Sequence, residues 1–97
     1  MSYVAIFYSR RNLDAQAYSF WAQKMSERVQ NQPGFMHSHS FRDSEGLGVT
    51  LSYWESREAI AAWGRDAEHL EAQAFGRSEG YASYRLEIAE VQTVREG

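Results

Sequence analysis

At 97 residues the chain is long enough to bury one modest core and no more. It has no cysteine, which excludes disulfides, thiolate catalysis, iron–sulfur clusters and zinc ribbons. Its 13 acidic against 10 basic residues, with no basic run, argue against nucleic acid or an anionic membrane as partner. No stretch approaches transmembrane length, and the opening MSYVAIFYSRR has too short an apolar run and no basic leader for a secretory signal. A soluble, cytoplasmic protein is expected.

Residues Tyr3 to Arg10 read as a first strand, rich in β-branched and aromatic side chains. Both alternating faces are apolar: Tyr3, Ala5 and Phe7 on one, Val4, Ile6 and Tyr8 on the other. A sheet covered by helices on one side only should show a polar second face, so something else must cover this one. Asn12 or Asp14 can cap the next segment, which runs to about Asn31 and repeats Leu13, Ala17, Trp21, Met25 and Val29 at the i, i+4 spacing of an amphipathic helix. The only proline, in Gln32-Pro33-Gly34, ends it.

The second strand, Phe35 to Arg42, is expected to place Phe35, His37, His39 and Phe41 on one face. Asp43-Ser44-Glu45-Gly46 makes a hairpin loop, with Gly46 and Gly48 available for positive φ, and the third strand runs from Gly48 to Trp54 antiparallel to the second. Ser56 caps a short helix whose buried side is Ala59, Ile60 and Trp63 and which Gly64 interrupts. Asp66 caps a second helix with the stripe Ala67, Leu70 and Ala74, ending at Gly76 and Arg77. The last strand, Tyr81 to about Val91, alternates Tyr84, Leu86 and Ile88 against Ser83, Arg85 and Glu87. The apolar set then shifts to Ala89 and Val91, which suggests a bulge or a switch of partner near Ile88.

This order of elements predicts an α+β fold, the ferredoxin-like split βαβ sandwich with a four-stranded antiparallel sheet. The apolar second face of strand one predicts a homodimer in which two sheets close face to face, in preference to an aromatic ligand platform on a monomer.

No phosphate loop, dinucleotide fingerprint, nucleophile elbow or HExxH pair occurs, so any activity has to use a pocket of aromatic and polar side chains. Trp63 is either core packing or a wall for a planar ligand. His69 and Gln73 stand one turn apart beside the Leu70 stripe, where both can reach a cavity edge. His37 and His39 face the same way but lack a third ligand, so no metal site is expected.

Gln32-Pro33-Gly34-Phe35, Tyr53-Trp54-Glu55-Ser56, Trp63, AEHLEAQAFGR and YASYRLEIAEV together resemble the antibiotic biosynthesis monooxygenase (ABM) domains of the dimeric α+β barrel superfamily, over nearly all of residues 1–97 as one domain. The resemblance implies a homodimer and a cofactor-independent monooxygenase that oxidises a small aromatic, a phenol, quinol or polyketide-like compound, with molecular oxygen. Trp63 and His69 are then the catalytic candidates, with Gln73, Phe7, Tyr53 and His39 as substrate contacts.

The haem-degrading relatives pair the tryptophan with a histidine ten residues on and an asparagine on strand one, whereas here Gln73 and Phe7 hold those places. Haem is therefore the runner-up cofactor. A non-catalytic dimer that binds a small apolar ligand is the competing class. A purely apolar pocket favours that binder, and His69 with Gln73 turned inward favours the enzyme.

Overall fold

The computed structural model describes residues 2–12 and 17–97, and its elements follow the predicted order. They are β1 (Ser2–Arg11), α1 (Tyr18–Val29), β2 (Phe35–Arg42), β3 (Leu47–Trp54), α2 (Arg57–Gly64), α3 (Ala67–Phe75), a π turn (Gly76–Gly80) and β4 (Tyr81–Val91). The apolar strand β1 takes an inner place in the sheet, whose order is β2-β3-β1-β4, and pairs antiparallel with both neighbours. Since β2 also runs antiparallel to β3, the architecture is the expected ferredoxin-like α+β arrangement.

The register sorts the sheet into two faces. Tyr3, Ala5 and Phe7 line up with Trp54, Ser52 and Thr50 on β3 and with Glu90, Ile88 and Leu86 on β4. Helices pack against this side. Trp54 is 0% exposed, with the Phe35 ring edge-on at 5.3 Å and the Trp63 ring of α2 at 6.4 Å. Its indole N–H donates to Ser52 Oγ at 3.0 Å, so burial leaves that donor paired.

The opposite face carries Val4, Ile6 and Tyr8 beside Tyr53, Leu51 and Val49. The molecule is 19 Å across its shortest axis, which holds one sheet and one helical layer at ~10 Å each. No described helix lies over the second face, and on it Tyr8 and Phe41 stay 42% and 61% exposed.

Several local expectations are corrected by this arrangement. Phe35 does not share a face with His37, His39 and Phe41: the β2–β3 register shifts between Phe35 and His37, so Phe35 sits against Trp54 while His37 pairs with Tyr53. The extra residue turns one side chain into the core and the rest away from it. No bulge occurs near Ile88, where the pairing with β1 is continuous, and the irregularity lies instead at Arg10/Arg11 opposite the start of β4.

Gly46 has φ +92° as expected, but Gly48 has no positive φ. A side chain at Gly48 would meet the Arg42 guanidinium carbon at 2.7 Å, so this glycine serves the packing of Arg42. Leu13 and Asp14 lie outside the described residues. As described, α1 has Ala17 at its N-cap position, with no side-chain cap hydrogen bond. Its stripe of Trp21, Met25 and Val29 is turned inward, with Val29 buried.

Trp54 is the largest fully buried side chain and touches strand and helix alike. Trp54→Ala is expected to lower the unfolding free energy by about 3–5 kcal/mol in urea titrations, and Trp54→Phe by clearly less.

Candidate functional site

The helical segment after β3 is two short helices, and the break between them builds the site. Ser56 caps α2 by accepting the Ala59 N–H at 3.1 Å, and Asp66 caps α3 by accepting the His69 N–H at 3.1 Å. Trp63 stands at the end of the first helix and His69 at the start of the second, so the turn brings them together. Their rings stack at 4.2 Å with 14° between planes, a contact worth about 0.5–1.5 kcal/mol for aromatic pairs.

The Asp66 carboxylate does a second job: it receives Arg28 of α1 through Nε at 2.6 Å and Nη2 at 2.9 Å, a two-pronged pair. α1 is thereby fastened to the junction that carries Trp63 and His69.

The hydrogen bonding assigns the state of His69. Nδ1 lies 2.7 Å from the Trp63 carbonyl oxygen. A carbonyl can only accept, so Nδ1 carries the proton and the lone pair of the neutral ring is on Nε2. Nε2 makes no hydrogen bond among the described residues. Burial lowers the pKa of His69, while the bond to Trp63 and the charge of Asp66 act in the opposite direction without overcoming it. The resting imidazole at neutral pH is thus an uncharged base.

α3 turns over relative to expectation. His69, Ala72 and Gln73 are half-buried and Gly76 is buried, whereas Leu70 is 47% exposed and Ala74 is exposed. The inward face is the i, i+3, i+4, i+7 set beginning at the histidine, not the apolar stripe. Trp63 stacking and the Asp66 cap hold His69 inward, and Gly76 admits the Tyr81 ring, whose edge lies 2.6 Å from where a Cβ would be. The Gln73 amide makes no hydrogen bond among the described residues and lies on the inner flank of α3 beside His69.

Further aromatic rings border the same helix-side face. Phe75 of α3 stacks on Trp21 of α1 at 6.3 Å, and Phe7 of β1 meets Tyr81 at 5.4 Å and Tyr84 at 6.0 Å. Sequence reading passed over Phe75, Tyr81 and Arg28. The Gly76 and Gly80 pair was the available signal for the first two, since Gly80 leaves room for the Phe75 ring as Gly76 does for Tyr81.

Of the sequence candidates, Trp63, His69, Gln73 and Phe7 therefore belong to the helix side. Tyr53 and His39 are on the opposite face, Tyr53 stacked on His37 at 4.5 Å. Within the chain the sheet separates them from Trp63. Among the described residues no group of three or more metal-ligating side chains is assembled. A groove of about 390 Å³ runs between Met36, Glu55 and the C-terminal residues Val91 and Val94, and none of the candidates lines it.

Comparison with known proteins agrees with the geometry. The family model described as antibiotic biosynthesis monooxygenase matches residues 1–74. The chain is 38% identical over 93 residues to YqjZ of Bacillus subtilis (strain 168), an uncharacterized protein, covering 96% of this chain and 82% of that one. Among solved structures, Rv0793 from Mycobacterium tuberculosis matches with a TM-score of 0.85 at 13% identity, covering 99% of this chain and 100% of the other. SnoaB, a cofactor-independent oxygenase from Streptomyces nogalater, matches with a TM-score of 0.81 at 10% identity, covering 96% and 95%. At such identities these two structures speak to the fold alone.

The lowered pKa of His69 has a consequence for stability. The unfolded chain titrates this histidine near the ordinary value of about 6.5, so below that pH it binds more protons than the native state. Stability is lost as pH falls from the ordinary histidine value toward the depressed native one. Urea midpoints compared at neutral and mildly acidic pH should fall more for the wild type than for His69→Gln.

Proposed function

Because the chain belongs to the antibiotic biosynthesis monooxygenase family, we propose that it is a monooxygenase which oxidises a small phenol or quinol with molecular oxygen and without a cofactor. The observation that carries this reading is His69, an uncharged imidazole with its proton fixed on Nδ1 and its Nε2 lone pair free, stacked on Trp63 and one turn from the open amide of Gln73.

The chemistry needs a base, a flat wall and a donor for a developing oxyanion. His69 Nε2 takes the phenolic proton and Trp63 bounds the ring of the substrate. The Gln73 amide N–H donates to the oxygen that gains charge. The electron-rich anion then adds oxygen at a ring carbon that carries hydrogen. Loss of water gives the quinone, so the sum is one phenol plus one oxygen molecule to one quinone plus one water. Burial disfavours the imidazolium formed in the first step, which favours return of that proton to the departing water. An inner helix face that presents His69 and Gln73 supports an enzyme over an apolar binding module.

Haem fits these residues poorly. Gln73, in the place where the haem-degrading relatives carry histidine, offers no ordinary iron ligand, and Phe7, in the place of their asparagine, is engaged with the Tyr81 and Tyr84 rings.

A homodimer is part of the same proposal. The uncovered sheet face with Tyr8, Phe41, Leu51 and Tyr53 is apolar and aromatic, and a second copy closing over it would remove that surface from water. Tyr53 and His39 then belong to the interface rather than to the pocket beside Trp63.

Two measurements test these readings. Oxygen uptake with a panel of dihydroxy-aromatics should fall by about 10²-fold or more in kcat for His69→Ala. Trp63→Phe should mainly raise KM. Unchanged rates in both variants would remove the assignment. Sedimentation at micromolar concentration should show a dimer for the wild type and a shift toward monomer for Phe41→Asp, and a monomeric wild type would overturn the interface.

A further inference from the structure

Asp66 sits between two groups that the sequence holds far apart. One carboxylate oxygen, Oδ1, receives both the backbone N–H of His69 at 3.1 Å and Nε of Arg28 at 2.6 Å, while Oδ2 receives Arg28 Nη2 at 2.9 Å. The pair is partly sheltered, with the Asp66 side chain 12% exposed and that of Arg28 37%. Screening by water is accordingly weaker at the carboxylate than at the guanidinium.

We infer that Arg28 and Asp66 are positioning residues for His69, a relay through which α1 fixes the orientation of the imidazole and sets the electrostatic surroundings of Nε2. Nothing in this relay touches the reacting atoms. The fork of Arg28 locks the rotamer of Asp66, Asp66 fixes the first turn of α3, and that turn presents the ring to Trp63 with Nδ1 on the Trp63 carbonyl. Each link is a hydrogen bond with one geometry, so the chain of constraint runs from helix to helix without slack.

The electrostatic part has a definite sign. Among the described residues the charged groups facing His69 are Asp66 at the α2–α3 junction and, through it, Arg28 of α1. Among the described residues, α2 meets His69 through the ring and carbonyl of Trp63. The Asp66 carboxylate favours a protonated imidazole, in agreement with its raising effect on the His69 pKa. Burial is what keeps the ring uncharged, and Arg28, by offsetting part of the charge of that carboxylate, acts in the same direction. The two partners of one ion pair therefore push His69 in opposite directions.

The inference rests on His69 being the base proposed above, but its test needs no substrate. Imidazole proton resonances are followed against pH in the folded protein, with His69 assigned by its loss in H69Q. Asp66→Asn keeps an oxygen to accept the His69 N–H and removes the charge, and it should move the His69 midpoint to lower pH. Arg28→Gln removes the guanidinium charge from beside that carboxylate and should move the midpoint to higher pH. Arg28→Lys should restore it toward the wild-type value, and the double variant should follow Asp66→Asn.

A pair that acted only as a structural clamp would loosen the site in both variants and shift both midpoints upward. That result, or no shift in either, overturns the inference. Asp66→Asn suffices alone should the glutamine variant not fold: any result other than a downward shift overturns the relay. The acid limb of oxygen uptake should move with the midpoints. If the resonances shift as expected while the limb stays fixed, the relay stands and the assignment of His69 as the base fails.

Discussion

The burial of Trp54 is the constraint on which the rest of this structure depends. An indole that is 0% exposed at the end of β3 requires a strand and a helix to close over it, and Phe35 and Trp63 supply the two sides. A large aromatic contributes a sizeable part of the apolar area available to so small a core. Its position therefore decides where α2 sits, and the end of α2 decides where Trp63 sits. Once Trp63 is placed, the Asp66 turn leaves His69 a single favourable seat, flat against the indole.

Beyond Trp63, polar bonds rather than apolar area set the orientation of the chain. α3 exposes Leu70 and turns His69 and Gln73 inward, the reverse of what area alone favours. The stack on Trp63, the Nδ1 bond to its carbonyl and the Asp66 cap offset the desolvation of the imidazole, and the half-buried amide of Gln73 stays without a protein partner among the described residues. Helices that bury their polar flank and expose an apolar one depart from the local rule, and such departures gather where chemistry is done.

The sheet divides the labour. Its helix side holds Trp54, Phe7 and the aromatic border with Tyr81 and Tyr84, and its other side carries Leu51, Tyr53 and Phe41 with no described helix above them. Strand β1 has two apolar faces, and described helices pack on one of them, the face it shares with Trp54.

What the sequence determined by itself is whatever depends on neighbours in the chain. Alternation marked the strands, the i, i+4 stripe marked α1, and the side-chain oxygens of Ser56 and Asp66 marked the starts of α2 and α3, because capping is settled within one turn. The antiparallel α+β arrangement followed from the order of those elements. Tertiary structure alone decided which flank of α3 faces in, because Leu70 and His69 compete for it on nearly equal terms and the deciding partners are Trp63 and, 38 residues away in sequence, the Arg28 that grips Asp66. It also separated Phe35 from His37 by a register shift and put Tyr53 and His39 across the sheet from Trp63. A one-residue shift between strands turns side chains through the sheet, and no local pattern records it.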